Sequence, residues 1–146
     1  MVDNLSGSLS GITIYDEIES TISGFLASEY SLTSGQILTE MEMPEIEEEL
    51  FTRLVWTYGN LIDISNLSIQ EIPNLNIEVY ERKNNGHNYC SSLVRNFRYA
   101  LKKNFNVKIY NGEYVKISEI YISRHDPDPE WFTYVITISF RILKAR

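Results

Sequence analysis

Two stretches of the chain repeat apolar residues at the three- and four-residue spacing of an α-helix. The first covers about residues 14–28, and Asp16, Glu17 and Glu19 place negative charge in its opening turns, where a helix dipole favours acidic side chains. Thr13, followed by Asp16 three positions later, is suited to cap the first amides. The predicted buried face consists of Ile14, Ile18, Ile22, Phe25 and Leu26.

The second helical pattern covers about residues 89–104. Asn88 precedes it and is a residue type that commonly caps a helix. Lys102 and Lys103 occupy the last turn, where the negative end of the helix dipole favours cations. The residues predicted to be buried are Tyr89, Leu93, Val94, Phe97, Ala100 and Leu101.

Alternation of apolar and polar residues predicts several β-strands. The clearest covers residues 132–142. One face of that strand consists of Phe132, Tyr134, Ile136, Ile138, Phe140 and Ile142. Residues 75–82 alternate in the same way. Residues 106–110 and 114–123 flank Asn111–Gly112, a dipeptide suited to a tight hairpin turn, and are predicted to pair.

The middle of the chain has a less regular pattern. After a turn at residues 31–35, residues 36–43 are predicted to be extended up to Pro44. Residues 50–58 carry β-branched and aromatic side chains and are interpreted as a strand, although the preceding glutamates leave a helix over residues 45–58 as the alternative. Residues 61–72 are expected to continue the sheet.

These elements predict one α+β domain over residues 12–146, after a flexible polar arm at residues 1–11. The 146 residues, 43% hydrophobic and 23% charged, suffice for a single core without a disulfide or a structural metal. We expect a mostly antiparallel sheet with both helices packed on the apolar face of residues 132–142.

The net charge of −7 conceals a division along the chain. Residues 1–73 carry thirteen acidic side chains and one basic side chain, whereas residues 74–146 carry seven acidic and twelve basic ones. If the fold keeps the two halves on different faces, identical subunits can meet head to tail through opposite charges. The alternative is that the halves interleave in the sheet and their charges cancel locally.

Two groups of charged residues are the predicted interface. Helical spacing places Arg95, Arg98 and Lys102 on one stripe of the second helix, and we call this the basic stripe. The acidic counterpart consists of Glu45, Glu47, Glu48 and Glu49. A pI near 4.8 disfavours contact with nucleic acid, so the basic stripe is predicted to meet carboxylates of a neighbouring subunit or a partner protein.

The sequence gives little support for catalysis or a cofactor. His87 and Cys90 have the spacing of half a zinc site, but the chain has one other histidine and no second cysteine. Cys90 falls near the buried helix face, where it would act as a small apolar side chain. The loop with His125, Asp126 and Asp128 is interpreted as turn geometry set by its two prolines.

No apolar run reaches the ~18 residues of a transmembrane span, and residues 1–11 lack the basic and apolar parts of a signal peptide. Cys90 is the single cysteine, which fits a protein made and kept in a reducing cytoplasm. We therefore expect no membrane association.

The order of elements resembles that of the tail terminator, or tail completion, proteins of long-tailed bacteriophages. Two segments carry most of the resemblance, NLNIEVYERKNNGHNYCSSLVRNFRYALKKNFNVKI at residues 74–109 and WFTYVITISFRI at residues 131–142. The resemblance covers about residues 12–143 and is one of architecture rather than of a motif.

The resemblance implies a structural virion protein without catalytic residues, cofactor or metal. Subunits of that family form a ring, typically a hexamer, at the head-proximal end of the tail tube. The ring stops tube polymerisation and offers a surface for joining the head, so the implied partners are further copies of this chain, the tail tube protein and a neck protein. The implied location is the head–tail junction of the virion, after assembly in the host cytoplasm. The alternatives are a head-to-tail connector or other neck subunit, and a small regulatory protein-binding module.

Overall fold

The computed structural model describes residues 14–40, 42, 49–59, 61–83, 88–105, 108–110, 113–125 and 129–145. Within these ranges the chain forms two α-helices, one 3₁₀ helix and eight β-strands. The helices are α1 (Ile14–Tyr30), the 3₁₀ helix (Ser34–Gln36) and α2 (Asn88–Asn104). The strands are β1 (Ile37–Thr39), β2 (Leu50–Thr57), β3 (Leu61–Ser65), β4 (Ser68–Glu71), β5 (Asn74–Arg82), β6 (Lys108–Tyr110), β7 (Glu113–His125) and β8 (Trp131–Ala145).

Several predictions from the sequence lie outside the described residues. They are the flexible arm at 1–11, the cap at Thr13, the Asn111–Gly112 turn and the proline loop at 126–128. The side chain of Asn88, the predicted cap of α2, is likewise not among those described.

Strand β8 organises the sheet. One edge of β8 pairs with β5 through residues 131–139 and with β4 through residues 142–145, and its other edge pairs with β7. Strand β2 lies beside β5, β1 beside β2, β3 beside β4, and β6 beside β7. The pairs among the described strands are antiparallel except for β1 with β2, which is parallel.

Strands β2 to β5 form one long hairpin with a break in the middle. Thr57 pairs with Asn74 on one side of the break, and Leu61 pairs with Glu71 on the other. At the break, Gly59 lies so close to Ile72 that a Cβ on Gly59 would overlap the Ile72 carbonyl oxygen. The Phe140 N–H donates to the Pro73 carbonyl (3.0 Å), so β8 remains bonded across the gap.

Both helices cover the sheet face predicted from the alternation of β8. The core joins the inward side chains of α1 and α2 to this face. Its fully buried sheet residues include Leu75, Ile77, Val79, Val115, Ile136, Ile138, Phe140 and Ile142. The predicted fold class is therefore confirmed, with one domain, two main helices on one face and a mostly antiparallel sheet.

One alternative and one prediction from the sequence are wrong. Residues 50–57 form a strand rather than a helix, because Leu50 and Leu54 reach the core from a sheet bonded along both edges of β2. Tyr89 was predicted to be buried but is 44% exposed. It lies in the first turn of α2, where its hydroxyl donates to the carbonyl of Tyr30 at the end of α1.

Candidate subunit interface

The basic stripe lies on an exposed surface of α2. Arg95, Arg98 and Lys102 are all exposed, as the helical spacing predicted. The Arg95 guanidinium donates to the Ser91 hydroxyl one turn earlier (Nη2 to Oγ, 2.9 Å), which keeps the side chain close to the helix surface. A different face of α2 points into the core and consists of Cys90, Leu93, Val94, Phe97 and Leu101.

The stripe faces away from α1. Tyr89 and Asn96 of α2 line a cleft together with Glu29 and Tyr30 of α1, so that flank of α2 is turned towards α1. Successive helical residues are rotated by about 100°, which places the basic stripe on the other flank. The stripe therefore borders the side of the molecule that α1 does not occupy.

The two helices carry opposite charges. Helix α1 contains four acidic residues and no basic one, whereas α2 contains four basic residues and no acidic one. The acidic residues of α1 are Asp16, Glu17, Glu19 and Glu29. Glu19 accepts a hydrogen bond from the Trp56 indole (Nε1 to Oε2, 3.0 Å), and burial raises its pKa. Asp16 and Glu29 are exposed.

Each helix lies over a different part of the sheet. Helix α1 is joined to β4 by a hydrogen bond from the Tyr15 hydroxyl to the Glu71 carboxylate, and to β2 through Trp56. Helix α2 packs on β5, β7 and β8. Helix α1 therefore lies towards the β2 and β4 side of the helix layer, and α2 lies beside it towards β7.

The charge division found in the sequence thus has a different outcome in each layer. In the sheet the two halves of the chain interleave, because β4 of the acidic half pairs with β8 of the basic half. In the helix layer each half supplies one helix, so that acidic α1 packs beside basic α2 and the basic stripe stays on the outer flank of α2. The head-to-tail hypothesis is therefore restricted to the helices.

Of the predicted acidic counterpart, the structure describes Glu49. Glu45, Glu47 and Glu48 lie outside the described residues. Glu49 is exposed and forms an ion pair with Arg82 (3.8 Å), which also pairs with Glu130 (3.1 Å). Within the described residues, Glu49 is therefore engaged with a cation of its own chain, and Asp16 at the start of α1 is an exposed acidic residue on the other helix.

Two buried carboxylates were missed in the sequence. Glu71 is held by the Tyr15 hydroxyl and by Lys144 (Oε1 to Nζ, 3.2 Å), and burial followed by this hydrogen bond raises the pKa of Tyr15. Glu81 accepts a hydrogen bond from the Cys90 amide (3.0 Å) at the start of α2. Glu81 shares the inward parity of Leu75, Ile77 and Val79, and this signal was available in the sequence.

An exposed apolar surface was also missed. Strand β3 is exposed at every position, and four large apolar side chains lie on the β3–β4 hairpin. They are Leu61, Ile62, Ile64 and Leu67, exposed by 63%, 44%, 52% and 80%. We call this group the apolar hairpin. The sequence predicted strand structure here, but periodicity does not report whether another element covers a strand.

The described residues offer few sites for catalysis or metal binding. Among them no group of three or more His, Cys, Asp or Glu side chains is placed to hold a metal. Cys90 is fully buried, whereas exposed His125 bonds to Ser123 (Nε2 to Oγ, 3.1 Å). His87, Asp126 and Asp128 lie outside the described ranges. No helix in the described part of the chain is long and apolar enough to span a membrane.

Comparisons with known proteins give a fold but no function. No family model matches the chain, and no curated protein matches it. Among matching solved structures, one aligns with a TM-score of 0.58 and 12% sequence identity, over 90% of this chain and 96% of that chain. Its name states no activity or partner, and at this identity the likeness shows the fold alone.

Proposed function

We propose that this protein is the tail terminator of a long-tailed bacteriophage, a non-catalytic subunit that forms a ring at the head-proximal end of the tail tube. The resemblance in the order of elements motivates the family. The observation that carries the assembly is the division of charge in the helix layer: acidic α1 lies beside basic α2, and the basic stripe is on the flank of α2 turned away from α1.

This arrangement favours a head-to-tail contact. If the α2 side of one copy meets the α1 side of the next, every subunit uses two different surfaces, and the assembly closes into a ring when the rotation per step allows it. Exposed ion pairs contribute only about 0.2–1 kcal/mol each. The charges therefore set the orientation and the rate of encounter, and further contact area must supply most of the affinity.

The ring also accounts for the other parts of the proposed role. A ring seated on the last layer of the tube occupies the surface on which the next tube subunit would bind, and so stops polymerisation. Its opposite face is then available to a neck protein. Neither step requires a catalytic group, and recognition depends on surface shape and charge.

Charge reversal tests the helix contact. Arg95→Glu, Arg98→Glu and Lys102→Glu together should abolish the oligomer while the circular dichroism spectrum and the cooperative melt persist, because all three side chains are exposed. The matched reversal on α1 is Asp16→Lys with Glu17→Lys, which should also abolish the oligomer and should lower the melting temperature, because the helix dipole favours acidic residues in the first turn. A chain carrying both sets of changes regains opposite charges and should assemble again. Light scattering at low salt measures all four proteins.

Complementation tests the biological role. A phage that lacks its own copy of the gene should produce tails of normal length when it receives the wild-type gene or the doubly reversed one, and abnormal tails with either single reversal. A wild-type protein that remains monomeric at every concentration, alone and with tail tube protein, would contradict the proposal. Normal tubes with unjoined heads would instead indicate a connector.

A further inference from the structure

Strand β3 is an edge strand of the sheet in the described part of the chain. Its inner edge pairs with β4, and among the described residues no strand pairs with its outer edge. Natural edge strands commonly carry lysine or proline, which discourage pairing with other chains. Strand β3, Leu61–Ser65, has neither, and it carries Leu61, Ile62 and Ile64 of the apolar hairpin.

Strand β6 is the opposite edge at the same height in the sheet. A single cross-strand row runs from Ile62 through Gln70, Leu143 and Tyr114 to Ile109. Four strand spacings separate its ends, which is about 19 Å. The two edges also match in length, because β6 has three residues and the pairing of β3 is regular from Leu61 to Asp63 before a register shift.

The direction of the two edges and their place beside the helices are compatible with pairing between copies. Four antiparallel steps separate β3 from β6, so the two strands run in the same direction and would pair in parallel between copies related by a ring rotation. Strand β3 pairs with β4, which is bonded to acidic α1 through Tyr15 and Glu71, and β6 pairs with β7, on which basic α2 packs. One head-to-tail step therefore brings together both the helices and the edges.

We propose that β3 of one copy pairs in parallel with β6 of the next copy, so that the sheet continues from subunit to subunit. This inference rests on the proposed ring and names the contact that supplies its area. The occupant of the β3 edge is a second copy of this chain, because the same molecule carries an edge of matching height, length and direction. Pairing would cover the exposed Ile62 and supply main-chain hydrogen bonds.

Engineered disulfides test the pairing. The double variant Ile62→Cys, Ile109→Cys should form disulfides between copies under mild oxidation, giving a ladder of oligomers up to a closed ring on a non-reducing gel. Disulfide geometry requires Cα atoms about 4.4–6.8 Å apart, so the ~19 Å across one chain excludes a bond within a copy. The native Cys90 is fully buried and does not compete.

The single variants Ile62→Cys and Ile109→Cys are the controls, and each should remain uncross-linked, because head-to-tail pairing does not bring identical edges together. Dimers from Ile62→Cys alone would show that β3 pairs with itself, which overturns the inference. If light scattering shows rings of the double variant but no disulfide forms, the inferred pairing of β3 with β6 would also be overturned. The tail terminator proposal would remain intact. Absence of any wild-type ring contradicts the tail terminator proposal itself.

Discussion

Glu81 joins the sheet to the start of α2. Its side chain is buried, and its carboxylate accepts a hydrogen bond from the Cys90 amide (3.0 Å). The first amides of a helix lack partners within the helix and carry partial positive charge. The Glu81 carboxylate from β5 therefore accepts a hydrogen bond from one of these amides, a capping role for which the sequence indicated Asn88.

Replacing this carboxylate should destabilise the protein. We expect Glu81→Ala to lower the free energy of unfolding by about 1–3 kcal/mol, because it leaves a buried amide without its partner. Glu81→Gln should lose less, since its amide oxygen still accepts a hydrogen bond. The control is Glu130→Ala, an exposed member of an ion pair with Arg82, which should cost less than about 1 kcal/mol. Urea denaturation measures all three, and equal losses would contradict the assigned role.

The Cys90 thiol should be unreactive in the folded protein. Burial, and then the neighbouring Glu81 carboxylate, raise the pKa of Cys90 from 9.0 to about 12, and the thiolate is the form that reacts. The folded state therefore keeps the thiol proton, whereas the unfolded chain releases it above about pH 9. The free energy of unfolding should therefore fall as the pH rises from about 9 to 12. Thiol labelling near pH 8 should be complete in urea and slow without it; equally fast labelling in both would contradict this burial.

The break in the long hairpin requires glycine at position 59. A Cβ there would overlap the carbonyl oxygen of Ile72, whereas a Cβ on Gly24 in α1 meets no atom within 4 Å. We expect Gly59→Ala to destabilise the protein by about 1–3 kcal/mol and Gly24→Ala to stabilise it by about 0.5–1 kcal/mol, because alanine favours a helix. Thermal melting gives the sign of each change, and the same sign for both would show that the close approach at Gly59 is tolerated.

Strand β8 supplies core residues, whereas His125 at the end of β7 is exposed. Ile136 and Ile138 are fully buried, so Ile136→Ala or Ile138→Ala should each cost about 2–5 kcal/mol through lost burial and a cavity. His125→Ala removes an exposed side chain at the end of β7 and should cost less than about 1 kcal/mol. Tail assembly should follow stability in this series. Sterile particles from a well-folded His125→Ala protein would indicate a site at that loop.

Period and parity account for most of what the sequence predicted. Helical spacing identified both helices and the exposure of Arg95, and alternation identified the inward face of β8, because each pattern is a direct consequence of backbone geometry. The pairing of β3 and β4 beside β8 depends on contacts between distant parts of the chain, which no local pattern specifies. The exposure of Ile62 and the partner of Glu81 were missed for that reason.

At the scale of the whole molecule, assembly should depend on salt. In the proposed ring the basic stripe of one copy meets acidic α1 of the next, so that contact between copies brings unlike charges together. At about 1 M ionic strength the Debye length falls to roughly 3 Å. Loss of about 1.4 kcal/mol of attraction would raise the dissociation constant about 10-fold. Light scattering over a salt series measures this, and tighter association in salt would indicate that apolar contact alone drives assembly.

The central position of β8 also sets the time at which the protein can fold. Residues 131–145 pair with β4, β5 and β7, and during translation they leave the ribosome after all three. The nascent chain therefore cannot close its sheet until residues 131–145 have left the ribosome. Before that time its first 73 residues carry a net charge of −12, and this charge favours solubility. Since that sheet holds β3 and β6, the edges proposed to join neighbouring copies, an unfinished chain would lack the surface proposed for ring assembly.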